Sequence, residues 1–243
     1  MTGDQNNCWD YCFGKEEQLA TSLVTIINNQ KFDGIDIDYE YFYDIADKQA
    51  GRCTQRSDLY TDVKAQTFLN DLTSKLRTKL DALQPINGYN HGRYEVTHAP
   101  MDSDLTPSTS KYFQILKARH QDLDFLMPQF YNGVTRAQTD GISGSGAGSI
   151  SAGTLFSSLA NEMFNMKPHK VVFGFCISDC TSWNTTAAQA VMIMSDLKVY
   201  NSSQYPCNGG AFFWVAKDDI GGAWSDTVVA EVKETAGCSA YLN

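Results

Sequence analysis

The sequence predicts an α/β fold assembled from parallel β/α units, and three observations carry that expectation. Short runs rich in β-branched and aromatic residues alternate with longer segments whose apolar residues recur at three- and four-residue spacing. The segments between successive runs are roughly ten residues or longer, which suits a crossover helix rather than a hairpin. The length of 243 residues fits one large domain, and α/β barrels occupy about 250 residues as a single unit.

Taken in order, residues 1–14 form a polar loop with glycine, asparagine and cysteine. Residues 15–28 read as an amphipathic helix with Leu19, Leu23, Ile26 and Ile27 as its apolar stripe. Residues 32–41 are a strand that carries acids. A polar loop with Cys53 leads to a long helix at 57–83, where Phe68, Leu69, Leu72, Leu76, Leu80 and Leu83 stand at helical spacing. Residues 93–99 form a strand ended by Pro100, which has no N–H for a ladder. A short helix at 110–119 precedes a strand at 123–131. The Gly/Ser-rich stretch 141–153 lacks the Gly-Lys-Ser/Thr of a phosphate loop and reads as a rim loop. Residues 154–164 are helical, with Ser151 or Thr154 as cap. A strand at 171–177, a helix at 185–200, a strand at 209–216 and a helix at 225–235 complete the chain. No linker or internal repeat divides it, so residues 1–243 read as one domain.

The formal charge is −9 with no basic stripe, which argues against a nucleic-acid partner. No run of about 18 apolar residues exists to span a membrane. Hydrophobic residues make up 42% and aromatic residues 12%, enough for a substantial core. Seven cysteines (Cys8, Cys12, Cys53, Cys176, Cys180, Cys207 and Cys238) accompany two glycosylation sequons, Asn184-Thr-Thr and Asn201-Ser-Ser. Together they point to an oxidising, secretory setting. Cys8/Cys12 and Cys176/Cys180 are each separated by three residues, not the two of common zinc and redox motifs, which favours disulfides over metal. The pairing is not legible from sequence, and an odd count leaves one thiol free or paired outside the chain. The segment after Met1 has neither a basic nor an apolar leader region, so a signal peptide is expected upstream.

The most informative segment is Asp33-Gly-Ile-Asp-Ile-Asp-Tyr-Glu40. Asp36, Asp38 and Glu40 are two apart, so on a strand they project from one face. Gathering carboxylates this way is unfavourable unless they share protons and hydrogen bonds, and such a cluster points to chemistry. Asp33 lies out of phase with the other three and reads as structural.

This octapeptide resembles the Asp-x-x-Asp-x-Asp-x-Glu signature of glycoside hydrolase family 18, the chitinases and their relatives. Three other segments agree. Met127-Pro-Gln-Phe-Tyr-Asn132 is similar to the family's sixth strand, Gly209-Gly-Ala-Phe-Phe-Trp214 to its eighth, and Thr97-His-Ala-Pro100 to its fifth. The resemblance covers most of the chain and implies a (β/α)8 TIM barrel with its site at the C-terminal strand ends. Counted from the acidic strand as the family's fourth, the sequence supplies five strands. The expectation is therefore a partial barrel covering the fourth to eighth units, the first three strands missing, with its carboxylate face open to water.

The resemblance also implies the roles. Glu40 is the acid/base, Asp38 orients the substrate's 2-acetamido group, Asp36 shares a proton with Asp38, and Tyr131 donates its hydroxyl to the acetamido oxygen. Trp214 is the sugar platform, and Met127 and Gln129 line the sugar site, although either could instead serve packing or a buried hydrogen bond. Trp9, Trp183 and Trp224 are candidate peripheral sugar contacts. His91, His98, His120 and His169 show no metal-ligand spacing, and His98 stands on a strand expected to point toward the mouth. No metal and no cofactor is implied. The expected partner is chitin or N-acetylglucosamine oligosaccharide, cleaved at β-1,4 bonds by a secreted monomer with no nucleic acid or membrane partner. An endo-β-N-acetylglucosaminidase acting on N-glycans, and a non-catalytic lectin or inactive fragment, stay open as alternatives.

Overall fold

The computed structural model describes residues 9–40, 61–83, 93–131, 133–145, 150–200 and 207–232. The expectations for Cys8, Cys53, Cys238, His91, Asn132, the Asn201 sequon and the helix start at 57–60 fall outside them. The chain divides into two compact units, one of residues 1–99 and 109–124, the other of 100–108 and 125–243. The boundaries lie beside strands, where no Gly/Pro-rich linker marks them.

In the first unit, helix α1 (Glu16–Gln30) leads to strand β1 (Gly34–Ile37). Helix α2 (Asp62–Asp81) leads to strand β2 (Glu95–His98), and helix α3 (Lys111–Ala118) follows. The two strands are parallel, in the register Gly34 to Glu95 through Ile37 to His98. Helix α2 buries Phe68, Leu69, Leu72, Leu76 and Leu80, as their spacing predicts. Each such side chain contributes about 1.5–3 kcal/mol by leaving water. Thr61 caps this helix by accepting the Lys64 N–H.

The face of α1 differs from the expected stripe. Ala20, Val24 and Ile27 are buried, Leu19 and Leu23 are half-buried, and Ile26 is 50% exposed. Residues 20, 24 and 27 repeat at i, i+4 and i+7, so small Ala20 sets the contact line and turns Ile26 outward. Strand β1 is also shorter than 32–41. Its ladder ends at Ile37, yet the alternation continues: Asp36 and Asp38 are exposed, Ile37 and Tyr39 buried, Glu40 partly covered. At Gly34 the neighbouring strand leaves no room for a side chain, since a Cβ there would overlap the Glu95 carbonyl.

Asp124 ties α2 to the start of β2. Its carboxylate accepts from Arg77 Nη1 at 3.1 Å, Arg93 Nε at 2.8 Å and the Val96 N–H at 2.8 Å. His98 turns away from the carboxylate face and is fully buried. Its Nε2 lies 3.0 Å from Thr73 Oγ1 and its Nδ1 2.8 Å from the Tyr112 hydroxyl. Thr73 spends its one hydroxyl proton on the Leu69 carbonyl. His98 Nε2–H therefore donates to Thr73, and Nδ1 accepts from Tyr112. The sequence singles out His98 because its strand is expected to point toward the mouth, but its ring is taken up by this buried pair.

In the second unit, β3 is only Phe125–Leu126. The expected strand at 123–131 is interrupted at Pro128, which has no N–H to give a ladder. Single parallel bridges continue its path, Leu126 with Val171, and Gln129 with both Met101 and Gly174. Helix α4 (Ala152–Ser158) is capped by Ser151, which accepts the Thr154 N–H, and it widens into a π turn at Leu159–Met163. Strand β4 (Phe173–Cys176) runs parallel to β5 (Ala211–Trp214), pairing Cys176 with Trp214. Helix α5 (Ala187–Val199) opens with a capping box between Thr186 and Gln189, and helix α6 (Ala223–Val232) packs against it. An aromatic row, Phe130, Phe173, Phe175 and Trp224, fills the helix side of these strands.

The strand pairings within each unit are parallel and alternate with helices, in agreement with the expected α/β class. No described helix is long and apolar enough to cross a membrane.

Candidate active site

The first unit holds the acids. Asp36 and Asp38 both show exposed surface, and both have a pKa raised above the ordinary aspartate value of 3.8. These two facts pull in different directions. They are reconciled because a carboxyl open on one side still loses hydration to protein on its others. Desolvation is the main cause for Asp36, partly offset by hydrogen bonds from the Thr97 hydroxyl, at 2.6 Å, and the Ile37 N–H. Desolvation also leads for Asp38, and the neighbouring charge of Asp36 adds to it. The pair therefore holds a proton more readily than two isolated aspartates. Glu40 follows in the same alternation, beyond the end of the ladder.

The second unit holds the aromatic residues. Met127, Gln129 and Tyr131 stand on the path of β3 and its bridges, in a stretch where every residue from Pro128 to Tyr131 is buried. Met127 is half-buried, and Gln129 and Tyr131 are each 7% exposed. Tyr131 packs with Cys176 and Cys180, and Trp183 and Phe212 lie against that cluster. Cys176 and Cys180 form a disulfide. Trp214, at the end of β5, is 48% exposed, and its indole N–H donates to Asp179 Oδ1 at 3.0 Å. The peptide that follows it, Trp214–Val215, is cis.

The other tryptophans each contact neighbouring side chains or backbone. Trp9 lies 5.2 Å from the Tyr39 ring and 5.6 Å from Phe68. Trp224 is 9% exposed and donates its indole N–H to the Thr185 carbonyl. Trp183 carries the Arg136 guanidinium 3.9 Å above its ring.

Two acids escaped the sequence reading. Asp102 is fully buried and accepts from the Val134 N–H, the Thr135 N–H and the Thr135 hydroxyl, so the loop after Tyr131 folds around its carboxylate. Burial raises its pKa, and those hydrogen bonds pull it partly back. Asp179 sits inside the disulfide loop with a left-handed φ of 44°. The pair Ser178-Asp179 between two cysteines is a turn signal that could have drawn attention to it. The sulfurs of Cys176 and Cys180 and the Asp179 carboxylate lie within 4.8 Å of one another, but the disulfide uses both sulfurs that a metal would need.

Solved proteins of similar structure include two chitinases. One is a GH18 chitinase from Pseudoalteromonas aurantia, with TM-score 0.69 and 22% identity over 95% of this chain and 72% of that one. The other is assigned as Chitinase A of Streptomyces coelicolor, with TM-score 0.62 and 19% identity over 89% of this chain and 67% of that one. The chain shares its fold with these two proteins. No family model matches the sequence, and no curated protein matches it. The likeness to chitinases thus lies in the path of the backbone rather than in overall sequence identity.

Proposed function

We propose that the chain is a family 18 glycoside hydrolase that cleaves β-1,4 bonds in chitin or chito-oligosaccharides with retention. The observation that carries this reading is the run Asp36, Asp38 and Glu40, alternating along one face of β1 and its extension, on a chain that shares its fold with a chitinase. In this reading the described strands correspond to the fourth to eighth units of the barrel.

Retaining glycosidases commonly use a second carboxylate as nucleophile, whereas in family 18 the substrate assists. The acetamido carbonyl oxygen attacks the anomeric carbon of its own sugar, and the bond to the leaving oxygen breaks. Glu40 gives that oxygen its proton. An oxazolinium ion results, with positive charge spread over the former amide. Asp38 accepts the acetamido N–H and stabilises that charge. Its raised pKa, beside Asp36, supports a pair that shares one proton and redistributes it as the charge grows. Water then attacks the anomeric carbon, and Glu40 takes its proton back from the water. Tyr131 donates its hydroxyl to the acetamido oxygen, Trp214 offers its exposed ring to the apolar face of the sugar, and Met127 and Gln129 line the same subsite. The disulfide Cys176–Cys180 and the exposed sequon residue Asn184 support a secreted glycoprotein.

The test is hydrolysis of a fluorogenic chitotrioside by the wild-type chain and by Glu40→Gln. Loss of about three orders of magnitude or more in kcat with an unchanged circular dichroism spectrum is expected. Equal rates would remove Glu40 from the mechanism. A substrate lacking the 2-acetamido group should not turn over, and its cleavage would exclude assistance by the substrate.

A further inference from the structure

We infer that Asp179 is a positioning residue for Trp214, and that the Cys176–Cys180 disulfide holds Asp179 in the place this requires. The inference rests on the reading of Trp214 as a sugar platform and adds what fixes the platform's orientation.

A tryptophan with 48% of its surface exposed has little packing to choose among rotations about its two side-chain torsions. A bond to the indole N–H selects one of them. The acceptor here is a carboxylate oxygen, which makes a stronger and more directional bond than a neutral acceptor would. A platform held in advance loses less rotational freedom when a sugar stacks on it.

The acceptor is itself held in place. Asp179 belongs to the five-residue loop Cys176-Ile-Ser-Asp-Cys180, closed by the disulfide. The loop is fastened on both sides of Asp179. Ser178 Oγ donates to Asp218 Oδ2 at 2.6 Å, and the Cys180 N–H donates to Asn184 Oδ1 at 3.0 Å. It also holds Trp214 through the backbone, because the Ile177 N–H donates to the Trp214 carbonyl at 2.8 Å. Trp214 is thus bonded to one loop twice, through its main chain by Ile177 and through its ring by Asp179. Tyr131 packs on the two cysteines of the same loop, so a single covalently closed turn supports both aromatic residues of the second unit's candidate site.

Asp179 has a left-handed backbone, which Asn and Gly accept with little strain. Asp179→Asn keeps the acceptor oxygen, and Asp179→Gly removes it without a backbone penalty. A double variant, Cys176→Ala with Cys180→Ala, opens the loop. Each would be labelled with 5-fluorotryptophan, with Trp214→Phe identifying the Trp214 resonance, and assayed on a chito-oligosaccharide.

In Asp179→Gly and in the double variant the Trp214 fluorine resonance should move or broaden, and KM should rise about five-fold with kcat changed less than two-fold, as expected for losing one hydrogen bond. Asp179→Asn, which keeps a neutral acceptor oxygen, should lie between Asp179→Gly and wild type in both resonance and KM, and an Asn variant no closer to wild type than Gly would overturn the hydrogen bond as the cause. A Trp214 resonance unmoved in Asp179→Gly overturns the positioning role, and one unmoved in the double variant overturns the role of the disulfide. If the resonance responds as expected but no variant, nor the wild type, turns over chito-oligosaccharide, the positioning stands and the proposed function fails.

Discussion

Lowering the pH from about 7.5 to about 5 should destabilise the protein through His98 alone by roughly 2 kcal/mol. The imidazole is fully buried between Thr73 and Tyr112, and burial pushes its pKa from 6.5 to about 3. The unfolded chain takes up a proton as the pH falls below 6.5, while the folded chain does not until near 3. Stability supplied by the neutral ring is therefore complete above the unfolded value and declines as the pH falls through that window. At about pH 5 the gap to the unfolded value is about 1.5 units, worth about 1.36 kcal/mol each, which gives the 2 kcal/mol. The figure depends only on the folded pKa lying well below 5, not on its exact value.

Urea unfolding followed by circular dichroism, at both pH values and for wild type and His98→Gln, isolates the effect. Glutamine keeps a donor and an acceptor but does not titrate. The pH-dependent loss should be smaller in the variant by about 2 kcal/mol, because every other titrating group is common to both. Identical losses would refute a ring held neutral by burial.

Three further outcomes follow from the geometry. Asp36→Asn should raise the urea midpoint near neutral pH and leave it unchanged below about pH 3, because a raised carboxyl pKa makes the folded charged form costly only above the ordinary aspartate value; a lowered midpoint at neutral pH would contradict this. Gly133→Ala should cost about 2–3 kcal/mol in thermal or urea unfolding, since its Cβ would stand 1.4 Å from Asp102 Oδ1 and force the loop off that carboxylate; a change under about 0.5 kcal/mol would show the loop can yield freely. Asp124→Ala should cost about 3 kcal/mol in the same measurement, because Arg77 has a side chain only 5% exposed and would keep only the neutral Tyr94 carbonyl and the exposed carboxylate of Asp81; a near-neutral result would mean that water replaces the carboxylate.

The helices were legible wherever burial repeats at helical spacing. Phe68 through Leu80 read correctly because every third or fourth residue is large and apolar. Helix α1 misled because its contact is made by Ala20, which carries almost no hydropathic weight, while Ile26 looks like core and faces water. All five strands were overread in length, and most of all in two places, for different reasons. At 123–131 Pro128 denies the ladder its donor, and residues 128–131 are all buried instead of alternating. At 32–41 the alternation outlasts the hydrogen bonds, so the side chains keep strand-like order after the strand ends. The acids Asp36, Asp38 and Glu40 could be found because they are neighbours in sequence. Asp102 could not, since the groups it binds lie more than thirty residues away, at 134 and 135. His98 shows the same limit: spacing tells which residues share a face, not which face looks at helices and which at solvent.

The glycine of the acidic octapeptide has a consequence for grafting. Only a bare Cα fits at Gly34, because the Glu95 carbonyl occupies the volume a side chain would need. Any larger residue would wedge β1 away from β2 and carry Asp36 off its hydrogen bond to Thr97. A designer who transplanted only the four acids onto another parallel scaffold would reproduce the charge pattern at the wrong height above the neighbouring strand. Position 34 therefore works as a spacer, and the transferable unit is the acids together with the gap that sets their elevation.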